Sequence, residues 1–146
     1  MNRRGESVID IDSKLFSSKN PIWSYLNTFT TSDIDGNLVQ IDTKGNIIKT
    51  PESFGDNHLL EMTSKTLVSI SENTITIKGI PVKLPYGNYT RPKIFYINNT
   101  IYIATTDLDS QKVYLFLSNG NPVQGFPVYG TSFVDITNAD NDKSLE

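Results

Sequence analysis

Apolar positions along this chain fall in short runs of β-branched and aromatic residues, such as "NLVQI", "TLVSIS", "TIYIAT" and "VYLFL", broken by Gly, Asn, Asp and Pro. Helical spacing is almost absent, so the pattern predicts an all-β chain. The runs recur in a fixed order. "GNLVQIDTKGNIIKTP", "ENTITIKGIPVKLP" and "QKVYLFLSNGNPVQGFP" each hold an apolar strand, a Gly-containing hairpin turn and a more polar strand stopping at Pro51, Pro85 or Pro127. Ahead of each lies another pair of runs: "IWSYLN" with "TFTTSD", "HLLEMT" with "TLVSIS", and "KIFYIN" with "TIYIAT". The repeating unit is a meander of four antiparallel strands, present three times, with its closing prolines 34 and 42 residues apart.

Four-stranded units of roughly 40 residues are the signature of β-propeller blades. Blades are expected at about residues 22–50, 58–84 and 94–128 of a single domain spanning residues 1–146. Residues 8–20 read as the last strands of a preceding blade, with Pro21 placed like Pro51 and Pro85, and residues 133–146 as the start of a further one. Strands such as "TIYIAT" and "VYLFL" are apolar on both faces, as middle strands clamped between neighbouring blades should be, whereas "NIIKT" and "PVKL" mix in the charge expected of an outer edge. Two closures follow. The N-terminal part-blade joins the C-terminal strand to complete a fourth blade, or the chain is a piece of a larger propeller; the second is preferred, because the last unit lacks most of its second strand. A piece with open blade faces would expose a large apolar patch, which makes a homodimer through those open edges an expected assembly.

Composition narrows the function. A net charge of −3 with acids and bases interspersed provides no basic stripe for a phosphate backbone, so no nucleic-acid partner is expected. No apolar run approaches the ~20 residues of a spanning helix, so no membrane insertion is expected either. The absence of cysteine removes disulfides, thiolate zinc sites and a Cys nucleophile. The opening "MNRRGESVIDIDSK" has two arginines but no apolar core of a signal peptide.

The chain ends in "TNADNDKSLE", which sets Asn138, Asp140, Asp142 and Glu146 at positions 1, 3, 5 and 9 of a nine-residue stretch. Calcium takes six to eight oxygens at about 2.3–2.6 Å, and alternate residues of a tight loop can aim side chains at one ion. The alternative is an acidic tail. The arrangement resembles the FG-GAP repeat of integrin-alpha-type propellers and their bacterial relatives, whose calcium loop has the form D-x-[DN]-x-D-G-x-x-[DE] after the first strand of a blade. "SFVDIT" precedes the stretch as a first strand would, and "GNPVQGFPVYG" resembles the corner leading into such repeats. The resemblance implies calcium as a structural ion, Asn138, Asp140, Asp142 and Glu146 as its ligands, and an extracellular or periplasmic setting. The sequence departs from the pattern in Asn138 at the first position and in Lys143 where glycine is usual. The corresponding turns of the three complete units, "LNTF", "TSKT" and "INNT", carry no ligand set.

Two acidic pairs, Asp33 with Asp35 and Asp107 with Asp109, stand at turns between second and third strands. Such pairs suit a general acid and base or a metal, but aspartate in a turn also caps its own backbone amides, and recurrence at equivalent places favours that structural role. His58, the single histidine, has no triad or metal spacing around it. Trp23 is expected in the core. The most binding-like segment is the connection "LPYGNYTRP", where Tyr86, Tyr89 and Arg91 are residue types that dominate recognition surfaces and would share a rim with Phe54, Tyr129, Asp107 and Asp109. The expected function is a non-catalytic interaction or scaffold module for a protein or glycan. The alternative is a polysaccharide hydrolase or lyase, which would bring the paired carboxylates into one cleft.

Overall fold

The structure is a computed structural model describing residues 12–136 apart from residues 26 and 56. It is all-β, with three four-stranded antiparallel sheets following one another along the chain. The first holds β1 (Trp23–Tyr25), β2 (Thr28–Ser32), β3 (Asn37–Asp42) and β4 (Ile47–Ser53). The second holds β5 (His58–Met62), β6 (Leu67–Ser71), β7 (Thr74–Ile77) and β8 (Ile80–Lys83). The third holds β9 (Lys93–Ile97), β10 (Thr100–Asp107), β11 (Lys112–Leu117) and β12 (Val128–Tyr129). Each sheet keeps its strands in chain order, as a blade-type meander does.

Local turn chemistry sets the hairpins. Lys78 and Gly79 lie at φ 50° and 82°, and Asn98 and Asn99 at 47° and 64°, the left-handed pairs that two-residue hairpins require. A longer turn recurs at Asp33–Asn37, Asp42–Asn46 and Leu117–Asn121. In each, the first residue's amide donates to the last residue's carbonyl while the glycine's amide donates back to the first carbonyl. That glycine has positive φ in all three turns.

Neighbouring sheets stack face to face. On the second sheet Val68 pairs with Ile77 and Ile70 with Ile75, which places these four side chains on one face. They pack with Ile103 and Phe116 of the third sheet into the apolar core, with Leu59, Val82, Ile94, Ile101 and Tyr114 around it. The opposite face of the second sheet carries Leu60, Ser69 and Thr76 and turns toward the first sheet. There Asn20 ties the two together: its amide donates to Ser32 Oγ at 3.0 Å and the His58 carbonyl at 3.4 Å, and its Oδ1 accepts the Leu60 amide at 2.7 Å.

Several expected boundaries differ in the structure. Of residues 8–20, the part described forms a 3-10 turn at Ser13–Leu15 and a bridge from Phe16 to Asp33, while residues 8–11 of the expected part-blade lie outside the described residues. The same contact joins Tyr89 to Asp107, so Pro21 corresponds to Pro92 at the entry to a first strand, not to Pro51 and Pro85. The fourth strand of the third sheet follows Pro127 instead of ending there, because "NGNPVQGFP" leaves the sheet after a bridge at Pro122 and the chain returns to pair Val128 with Val113. Pro51 lies inside β4, an outer strand where a missing amide is tolerated. Residues 133–136 form no strand; Val134, Asp135 and Ile136 instead line an apolar cavity of about 460 Å3 with Tyr102, Leu115 and Phe126 on the outward face of the third sheet.

Candidate functional site

The turn between β10 and β11 is built around a buried carboxylate. Asp107 is 1% exposed; its Oδ1 accepts the amides of Asn88 and Asp109, each at 3.1 Å, and its Oδ2 accepts the Ser110 hydroxyl. Burial alone would raise its pKa, but the hydrogen bonds from Ser110, Asp109 and Asn88 outweigh that and hold the carboxyl below its ordinary value. The carboxylate reaches the entry segment because residue 87 is glycine: a Cβ there would come within 2.4–2.6 Å of the Asp107 carboxyl atoms. Leu108 and Thr90 amides donate to the Asn88 and Thr106 carbonyls, both at 2.8 Å, which zips the entry segment to the end of β10. On the other side Gly130 donates to the Gln111 carbonyl at 3.0 Å, and Thr106 Oγ1 to the Ser132 carbonyl at 2.7 Å.

These contacts produce a braced rim at one end of the third sheet. Tyr86 at 87% exposure, Tyr129 at 77% and Leu108 at 40% project from it. Asp109 is exposed beside them. Tyr89 and Arg91, expected among the recognition residues, are placed differently. Tyr89 is buried; its hydroxyl donates to the Pro85 carbonyl at 2.8 Å and its ring meets Tyr114 edge-on. Burial, with Tyr114 and Asp107 nearby, holds its phenol above the ordinary pKa. Arg91 turns toward the second sheet, with Nε 4.0 Å from Glu61 Oε2. Phe54 packs its ring beside the buried His58, whose Nδ1 lies against the Gly55 carbonyl.

Asp33 repeats the device of Asp107 in the first sheet. Its Oδ1 accepts the amides of Asp35 at 3.0 Å and Asn37 at 2.8 Å, and its Oδ2 accepts Asn37 Nδ2 and the Lys49 ammonium, both at 2.9 Å. Burial works to raise this pKa, but the hydrogen bonds from Asn37 and Lys49 and the lysine charge pull it down to about 2. Gly36 in the same turn admits a different close approach, that of the Gly55 backbone: a Cβ on Gly36 would sit 2.2 Å from the Gly55 oxygen. Asp33 and Asp107 are therefore each held within a separate turn by separate partners. Asn138, Asp140, Asp142 and Glu146 lie outside the described residues.

A second feature, not anticipated from the sequence, lies between the first two sheets. Trp23, Thr30 and Gln40 stand opposite one another across β1, β2 and β3 and form a row on the face toward the second sheet. They line a cleft of about 440 Å3 closed on its far side by Met62, Thr63 and Ser64. Trp23 is only partly buried, and its Nε1 donates to Glu61 Oε1 at 3.0 Å. No local pattern marks it: the polar residues on the second sheet's facing side, Ser69, Ser71, Thr74 and Thr76, do not line the cleft, which that sheet borders only with Met62, Thr63 and Ser64.

No family model matches the chain, and no curated protein matches it in sequence. Among solved structures it is similar to the crystal structure of the computationally designed Ika4 protein, with a TM-score of 0.56 and 12% sequence identity over 97% of this chain and 96% of that one. At that identity the likeness is one of fold alone.

Proposed function

We propose that this chain is a propeller-type, non-catalytic interaction module of the FG-GAP-like class, which recognises a protein or glycan through the rim of its third sheet. The observation that carries this reading is the Asp107 turn, whose buried carboxylate ties the connection carrying Tyr86 to the turn carrying Leu108, beside the exposed Tyr129 of β12. Exposed tyrosines held on a rigid support bind at a low cost in conformational entropy. The carboxylates argue in the same direction. A glycosidase acid needs a raised pKa, whereas Asp33 and Asp107 are both lowered and their oxygens already occupied.

The test compares the wild-type chain with a Tyr86→Ser, Leu108→Ser, Tyr129→Ser variant on arrays of glycans and extracellular proteins, with bond cleavage in polysaccharides measured in parallel. The expected result is ligand retention by the wild type, weakened at least about tenfold in the variant at an unchanged melting temperature. Cleavage abolished by Asp35→Asn or Asp109→Asn would establish the hydrolase or lyase instead.

Calcium belongs to the same proposal and rests on the spacing of Asn138, Asp140, Asp142 and Glu146. An ion that binds only the folded state raises the melting midpoint. Millimolar calcium is expected to raise the midpoint of the wild type but not that of an Asp140→Ala, Asp142→Ala double variant. A wild type indifferent to calcium would make the segment an acidic tail.

A further inference from the structure

The two junctions between sheets are made of different chemistry. Between the second and third sheets, Val68, Ile75, Ile77 and Ile103 are fully buried and the interface is apolar. Between the first and second, polar and apolar residues are mixed: Trp23, Thr30, Leu38 and Gln40 face the gap on one side and Leu60, Met62, Ser69 and Thr76 on the other. Asn20 pins this junction at one end through its bonds to Ser32, His58 and Leu60. Beyond the pin the sheets part, and Gln40, on an inner strand and facing the neighbouring sheet, is nonetheless exposed. Its side-chain amide has no hydrogen-bond partner among the described residues.

The lining defines what would fit. Among the described residues no ionisable side chain lines the cleft, so they offer neither an anion nor a cation a counter-charge there. Gln40, Thr63 and Ser64 supply an amide and hydroxyls that can both donate and accept, and a purely apolar ligand would leave them unpaired. Trp23 supplies an aromatic plate beside them, held in orientation by its bond to Glu61 and with its own N–H already used. An added peptide strand would need an open sheet edge, whereas this cleft lies on a sheet face. One apolar surface bordered by uncharged donors and acceptors suits a pyranose, whose ring C–H face is apolar and whose periphery is hydroxylated.

We propose that the cleft between the first and second sheets binds a short neutral oligosaccharide, with a sugar ring against Trp23 and its hydroxyls hydrogen-bonded to Gln40, Thr63 and Ser64. The site is separate from the rim of the third sheet, so either can fail without the other.

Trp23 is the only tryptophan in the chain, which makes its fluorescence a direct reporter of occupancy. The experiment titrates the full chain with cellotetraose, maltotetraose and tetra-N-acetylchitotetraose to about 10 mM, a range that reaches weak carbohydrate affinities. At least one probe is expected to shift the emission saturably, with affinity at least about tenfold weaker in Gln40→Leu. Gln40 is exposed, so Gln40→Leu is expected to melt like the wild type and remain interpretable even if a Trp23 variant fails to fold. Calorimetry on the rim variant should return the wild-type affinity. The proposal is overturned if none of the three probes changes the emission, or if Gln40→Leu binds as tightly as the wild type.

Discussion

Replacing Asp107 by alanine is expected to cost about 2–3 kcal/mol, because the Asn88 and Asp109 amides and the Ser110 hydroxyl lose their shared acceptor at a point that water does not reach freely. In a chain of this size that corresponds to a fall of about 10 °C in melting midpoint. Asp107→Asn keeps an acceptor oxygen and the shape, so it should recover part of the loss. The pH dependence follows from the lowered carboxyls. Asp33 and Asp107 both have folded-state pKa values below their unfolded ones, so the unfolded chain binds more protons as pH falls. Their contribution is complete above the unfolded value of about 3.9 and is lost as pH drops through the folded values, about 2 for Asp33. Urea melts between neutral pH and pH 2 should show stability falling steeply below about pH 4, and less steeply in Asp107→Asn. A flat profile there would mean that the turn carboxylates do not support the fold as described.

Ile103→Ala is expected to be the most damaging single truncation, at about 2–5 kcal/mol. Ile103 is fully buried where the second and third sheets meet, and the backbone of two hydrogen-bonded sheets cannot collapse into the space left behind. Val128→Ala on the outward face of the third sheet, 42% exposed, should cost within about 0.5 kcal/mol. Denaturant midpoints at constant slope measure both. Equal costs would show that the second and third sheets do not share a dry interface.

The strand order and most hairpins were legible because they depend on residues close in sequence. Lys78-Gly79 and the Asp33–Asn37 turn carry their own backbone instructions, so the four-strand unit and its repetition emerge from pattern alone. The assignment of turn aspartates to a structural role follows from the same locality, since Asp33 and Asp107 cap amides two residues on. Where a strand was placed by analogy between prolines, the structure differs. Pro21 and Pro127 sit at sheet entries and corners, and a proline marks where pairing stops without saying which strand it borders.

The candidate sites were legible only in part. Tyr86 and Tyr89 are three residues apart in one loop, yet one is exposed and the other packed against Tyr114 from another strand. Trp23 looked like core and proves to border a cleft, because its burial depends on how closely the second sheet approaches. The sequence by itself determined an all-β chain of three hairpin-rich units, through short β-branched and aromatic runs separated by glycine-containing turns. Only the tertiary structure decided which sheet faces meet dry and which part around a polar cleft. That choice is made by residues distant in the chain, Asn20 bonding Leu60 and Val68 packing with Ile103, whose separation no local pattern encodes.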